Sequence, residues 1–156
     1  MSLLLTLDDV ARAGERWRAA GRRVAMTNGC FDVLHAGHLR LLEASRAEGD
    51  LLLVAINSDA SVRALKGPDR PVIPESERAE VLLAMAAVDA VAIYDDDTPL
   101  RVVQALRPSV LAKGADWPLD RIVGRAEVEA DGGRVVRIPL LEGRSTTAIL
   151  ERIRTP

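Results

Sequence analysis

Residues 24–38 read Val24-Ala25-Met26-Thr27-Asn28-Gly29-Cys30-Phe31-Asp32-Val33-Leu34-His35-Ala36-Gly37-His38. The first four make a short apolar run, and Asn28-Gly29 is a turn signal. Helical period returns over 36–48, with Leu39, Leu42 and Ala47 apolar and Arg40, Glu43 and Arg46 polar. Gly49-Asp50 closes that helix. Leu51 to Ile56 is six apolar residues in a row, the pattern of a strand buried on both faces. The stretch therefore reads strand, helix, strand.

The alternation extends both ways. Upstream, Val10, Ala13, Trp17 and Ala20 recur at helical spacing over Asp8 to Ala20, and Gly21 stops that helix. Downstream, Glu75 to Ala87 is helical with Val81, Leu82, Met85 and Ala86 on its core face, and Ala90 to Ile93 is a short strand. Thr98-Pro99 reads as an N-cap followed by proline at the first helical position of a helix ending before Pro108. Val110 to Ala112 is a buried strand, Val123 to Ala130 a helix, Val135 to Ile138 a strand after the Gly132-Gly133 turn, and Thr146 to Arg154 a last helix. Strands separated by helices imply an α/β fold: an open, doubly wound parallel sheet of about five strands. One domain is expected over 1–156, with an N-terminal helix near 8–20 and a core near 24–154. Ligands of such sheets sit outside the carboxyl ends of the strands. The loops to search follow Thr27, Ile56, Ile93, Ala112 and Ile138. The proline-bearing segment 67–74 reads as a loop rather than a domain boundary.

Composition narrows the classes. A chain of 156 residues fits one domain with a substantial core. Cys30 stands alone, so no intrachain disulfide forms, which fits a reducing, cytoplasmic setting. Leu3-Leu4-Leu5 is far too short to cross a membrane and has no basic segment before it. Net charge is −2 and aromatics are 3%, which argue against a nucleic-acid surface.

Both histidines of the chain, His35 and His38, lie in the loop after the first strand named above. If the helix starts near Ala36, both imidazoles sit at its N-terminal end. Free N–H groups and the helix dipole favour anions there, so two imidazole donors make a compact phosphate site. Gly37 would let a phosphate or base approach the backbone. A metal pair and plain surface histidines are the competing readings; zinc lacks further ligand spacing. GxGxxG and GxxxxGK[ST] are both absent. Ser145-Thr146-Thr147 offers hydroxyls and N–H groups to β- and γ-phosphates, or is simply a helix cap; Arg144 adds a bidentate donor.

Asn28 to His38 resembles the HxGH signature of the nucleotidyltransferase superfamily, and Glu142-Gly143-Arg144-Ser145-Thr146-Thr147 resembles the second signature of its cytidylyltransferase-like branch. The two bracket nearly the whole chain. Within the superfamily the chain is similar to the adenylyltransferase domain of the bifunctional heptose-phosphate kinase/adenylyltransferases. The matching stretches are Thr27 to Asp32, Ala55 to Ser61, Leu65-Lys66-Gly67 with Arg70-Pro71, Asp96 to Pro99, Lys113 to Asp116 and Gly143 to Thr147. The resemblance implies a Rossmann-like fold, a homodimer, and transfer of AMP from ATP to D-glycero-β-D-manno-heptose 1-phosphate. The products would be pyrophosphate and ADP-heptose for lipopolysaccharide or other surface glycans. Glycerol 3-phosphate cytidylyltransferases are the near rival; the arginine that opens their second signature is missing here. A non-catalytic nucleotide-binding module would need one signature damaged, and neither is.

The resemblance also carries roles. His35, His38 and Lys66 are expected to act on the phosphates in catalysis. Gly29, Cys30, Phe31, Gly37, Arg78, Gly114, Arg144, Ser145, Thr146 and Thr147 are expected on the nucleotide. Asp32, Asn57, Lys113 and Asp116 are expected on the sugar phosphate. Arg78, near a helix start where a cation opposes the dipole, serves either a phosphate or an acid partner. Asp59 reads as a helix cap. Asp95-Asp96-Asp97 reads as a solvated loop rather than a metal site. Mg²⁺ is expected to arrive on ATP with few protein ligands.

Overall fold

The computed structural model describes residues 3–155. The apolar runs become the strands of one parallel sheet. In chain order these are β1 (Leu3–Leu5), β2 (Val24–Gly29), β3 (Leu51–Asn57), β4 (Ala90–Tyr94), β5 (Val110–Gly114) and β6 (Arg134–Ile138). Their order across the sheet is β1-β4-β3-β2-β5-β6. The helices are α1 (Leu7–Ala19), α2 (Ala36–Ala47), α3 (Asp59–Lys66), α4 (Glu75–Leu83), α5 (Leu100–Leu106), α6 (Arg125–Ala130) and α7 (Thr146–Arg154).

Successive residues of a strand point to opposite faces, and both faces are covered. Val24, Met26, Leu53 and Ala55 pack with Val10 and Ala13 of α1 and with Val102, Val103 and Leu106 of α5. Ala25, Leu52, Val54 and Ile56 pack with Leu42 of α2 and with Ala79 and Leu82 of α4. Leu52, Leu53, Val54 and Ile56 have no exposed surface. Burying each such side chain is worth roughly 1.5–3 kcal/mol, which holds the strand ends in place. Trp17 is half-buried and packs against the first of these clusters.

Five details depart from the sequence reading. Leu3–Leu5 is a sixth strand, paired with Ala90, Val91 and Ala92 at the sheet edge. A strand of three residues is too short to show a period. Helix α3 was announced only by Asp59, read as a cap; Ser58 is the cap, accepting from the Ser61 amide at 3.1 Å, and Asp59 is the first helical residue. Helix α4 ends at Leu83, short of Ala87, and Pro99 rather than Thr98 occupies the cap position of α5. Helix α6 begins at Arg125, because Gly124 has φ 89° and lies against Val103, where a Cβ would sit at 2.8 Å.

Strand β2 pairs with β3 on one side and β5 on the other. The chain winds outward in both directions from that pair, so a crevice opens at the carboxyl ends of β2 and β5. Among the described residues no helix is long and apolar enough to cross a membrane.

Candidate active site

The loop leaving β2 is strained. Phe31 and Val33 have φ of 49° and 50°, a region that costs a β-branched residue of order 1–3 kcal/mol. Two distant segments hold it there. The Asp32 carboxylate, 1% exposed, accepts from Arg70 Nε at 2.7 Å and from the amides of Val72 and Ile73 at 2.9 Å each. Burial alone would raise its pKa, but those three donors keep it below the usual carboxylate value. Thr146 Oγ1, at the start of α7, donates to the Asp32 carbonyl at 2.8 Å.

The strained loop delivers His35 to the cap position of α2. His35 Nδ1 accepts the Gly37 amide at 3.0 Å, and His38 Nδ1 accepts the His35 amide at 3.2 Å. An acceptor nitrogen carries no proton, so each neutral ring holds its proton on Nε2. The ring centroids are 4.0 Å apart, and Phe31 lies 5.4 Å from His38. Burial, then His35 and Lys66, push the His38 pKa down to about 4. Burial, then Arg144, lower that of His35. Both are therefore neutral donors near neutral pH. A Cβ on Gly37 would sit 2.8 Å from His35 Cε1, so this glycine makes room for the folded-back ring. The sequence reading had given that space to the ligand.

Across the crevice, Lys113 at the end of β5 donates to Asn28 O at 3.0 Å and to Asn28 Oδ1 at 3.1 Å. Its ammonium lies 5.0 Å from the centre of the Trp117 ring. Burial lowers its pKa to about 8, against the opposing pull of Asp116 and Cys30. Ser145 caps α7 by accepting from the Ala148 amide at 3.1 Å. The cap reading of Ser145 thus holds, while Thr146 turns towards the histidine loop.

These groups enclose a cleft of about 540 Å³. Its wall takes in Gly29, Cys30, Phe31, Asp32, His35, Gly37, His38, Lys66, Lys113, Gly114, Asp116, Arg144, Ser145, Thr146 and Thr147. Two expected residues lie elsewhere. Arg78, expected on the nucleotide, is 1% exposed and turns its guanidinium into the fold. It donates to Ile73 O at 2.9 Å, Cys30 O at 2.6 Å, Asn57 O at 2.9 Å and Asp59 Oδ1 at 2.8 Å. Of its two sequence readings, the acid partner is the one realised. Asn57, expected on the sugar phosphate, is 4% exposed, accepts from the Tyr94 hydroxyl at 3.0 Å and donates to Ser61 Oγ at 3.0 Å. Both residues brace the wall from behind.

Sequence reasoning assigned no role to Arg70 or Trp117; both line the cleft, with Leu41, Leu65, Leu140 and Leu141. The available signal was Arg70-Pro71 inside a matched stretch. Lys66, Arg70, Lys113 and Arg144 face only two carboxylates there, Asp32 and Asp116, and Asp32 is already bonded to Arg70. That balance suits a polyanion. It does not suit a metal held by protein. Among the described residues no three His, Cys, Asp or Glu side chains group to bind one.

The chain matches the cytidylyltransferase-like family over residues 26–152. It is 53% identical over 152 residues to the bifunctional protein HldE of Acidiphilium cryptum and, over the same length, to that of Hyphomonas neptunium. Each match covers 97% of this chain and 31% of the relative, so the chain spans about a third of those proteins. Among solved structures, the lipopolysaccharide core biosynthesis protein of Thermoplasma volcanium superposes with a TM-score of 0.64 at 24% identity, covering 80% of this chain and all of that one. Pantoate-beta-alanine ligase of Francisella tularensis gives 0.68 at 10% identity, covering 99% and 74%. At these identities the structures speak for the fold alone. With both signature segments on one cleft and the family match running from β2 into α7, the chain belongs to the cytidylyltransferase-like family.

Proposed function

We propose that the chain is a nucleotidyltransferase that moves AMP from Mg²⁺-ATP to D-glycero-β-D-manno-heptose 1-phosphate. The observation that carries the transfer chemistry is the histidine pair. Backbone amides occupy both Nδ1 atoms, leaving two Nε2–H donors at a helix N-terminus inside a cationic cleft. The half-identity to HldE proteins over nearly all of this chain supports the acceptor.

In the reaction an oxygen of the sugar phosphate attacks the α-phosphorus of ATP. The bond from that phosphorus to the α,β-bridging oxygen breaks, and its electron pair leaves with pyrophosphate. The nucleophile is ionised at neutral pH, so no general base is required. The protein's task is alignment and stabilisation of charge on the α-phosphate. His35 and His38 donate to that charge; Lys66 and Arg144 add positive potential on either side. Thr147 and the free amides of α7 suit the β- and γ-phosphates. Lys113 and Asp116 suit sugar hydroxyls and phosphate. Mg²⁺ belongs to the nucleotide substrate, and no protein residue is assigned to it. The setting is the cytoplasm. The working form is a homodimer; Ile153 on α7, 73% exposed, is the sort of surface such a contact covers.

The test is pyrophosphate release with Mg²⁺, pairing ATP or CTP with heptose 1-phosphate or glycerol 3-phosphate, beside His38→Ala. Turnover with ATP and heptose phosphate alone, lost in the variant, is the expected result. Turnover with CTP and glycerol phosphate would keep the family and replace the substrates. No release with any pair would refute the assigned reaction.

A further inference from the structure

We infer that Arg70 holds the phosphate of the acceptor, and that Asp32 positions it for this task. The inference rests on the transfer reaction proposed above and assigns a residue to its second substrate.

Two arginines of this region make the argument by contrast. Arg78 places four hydrogen bonds on protein oxygens, the pattern of a structural arginine. Arg70 has the same five donors but uses only Nε, on Asp32 at 2.7 Å. Among the described residues neither Nη of Arg70 has a hydrogen-bond partner, although its side chain is only 13% exposed and lines the cleft. A guanidinium clamped at one corner by a buried carboxylate offers its remaining edge to an anion as a rigid fork. The loop does not need that clamp to stay in place, because the Val72 and Ile73 amides also bind Asp32.

The layout of the cleft says which anion. The sheet order places β3 on one side of β2, and β5 and β6 on the other. The histidine loop after β2 therefore lies between the segment that follows β3, with Lys66 and Arg70, and α7 with its preceding loop, which follow β6 and carry Thr147 and Arg144. In-line displacement puts the leaving and attacking oxygens on opposite sides of the α-phosphorus. Pyrophosphate on the α7 side leaves the Lys66–Arg70 side to the attacking phosphate.

The experiment measures inorganic phosphate binding by calorimetry to protein saturated with α,β-methylene-ATP, for wild type, Arg70→Gln and Arg70→Lys. Kinetic constants follow with ATP and heptose 1-phosphate. The expected result is a loss of phosphate affinity of about tenfold or more in Arg70→Gln, with analogue affinity within about twofold. The acceptor KM rises in step while the ATP KM holds. Arg70→Lys, which keeps the charge without the fork, falls between and decides the matter if the glutamine variant does not fold. Equal loss of analogue affinity, unchanged phosphate affinity, or no phosphate binding beside the analogue in wild type would each overturn the assignment. Failure of every acceptor to turn over would instead refute the transfer reading, and the phosphate titration would still judge Arg70.

Discussion

Acidification should weaken this protein through His38 well before its carboxylates titrate. His38 Nδ1 accepts the His35 amide, so a proton can enter the ring only by breaking that bond. Burial, the neighbouring His35 and the Lys66 ammonium all oppose the charge, and the pKa falls from 6.5 to about 4. The unfolded chain titrates near 6.5. Between the two values the unfolded state binds a proton that the folded state refuses, so stability rises with pH across this window. The contribution is complete above about pH 6.5 and is lost as pH falls towards about 4. At 1.36 kcal/mol per unit the ceiling is about 3 kcal/mol, and screening of the exposed Lys66 brings it nearer 2. Apart from His35, the other shifted groups fall outside the window. Asp32 is held below the usual carboxylate value, so its contribution is lost only at lower pH. His35 is lowered in the same direction and adds to the slope. The assay is urea unfolding of wild type and His38→Gln between about pH 7.5 and 4.5, with ring nitrogen shifts by NMR. Wild type should lose about 2 kcal/mol more than the variant over that range. Its Nδ1 should report an unprotonated acceptor throughout. A His38 titration near 6.5, or identical slopes in the two proteins, would refute the reasoning.

Three substitutions probe other parts of the cleft. Gly37→Ala puts a Cβ 2.8 Å from His35 Cε1 and should displace the ring, cutting turnover by about 100-fold at a cost of about 1 kcal/mol in stability; near-normal turnover would refute this. Arg78→Met should cost about 3–5 kcal/mol in urea unfolding, because Asp59 and three carbonyls lose their donor. Nucleotide affinity of the folded protein should stay within about threefold, and a selective loss of affinity would restore Arg78 to the nucleotide. Lys113→Met roughly conserves volume and removes a desolvated ammonium, so stability should change by under about 1.5 kcal/mol while kcat/KM falls about 10- to 100-fold. Unchanged kcat/KM would show that Lys113 only joins β5 to Asn28.

What could be read from the chain was whatever lies close along it. Leu51 to Ile56 announces a strand buried on both faces without knowing its neighbours, since continuous apolarity is itself the signature. The two histidines, the helix that follows them and the Ser145 cap are contained within a few residues, so their geometry follows from helical period and capping chemistry. Resemblance between short signatures then supplied the roles that spacing alone left open. That local reach also explains the failures. Leu3–Leu5 has too few residues to carry a period, and becomes a strand only because β4 offers a free edge.

Only the tertiary structure decided which side chains face the ligand and which face the protein. Arg70 and Arg78 stand only eight residues apart, yet one lines the cleft and the other braces its wall. The partners that separate them come from the loop after β2, the end of β3 and the start of α3: Asp32 for the first, Cys30, Asn57 and Asp59 for the second. The same holds for the Thr146 bond to Asp32, which spans 114 positions of sequence. A hydrogen bond depends on distance and angle in space, and chain separation carries no trace of either. The sequence by itself therefore determined the layered α/β sheet and the histidine loop at its switch point. The packing of remote segments around Asp32 decided how that loop is held and which cations remain free for an anion.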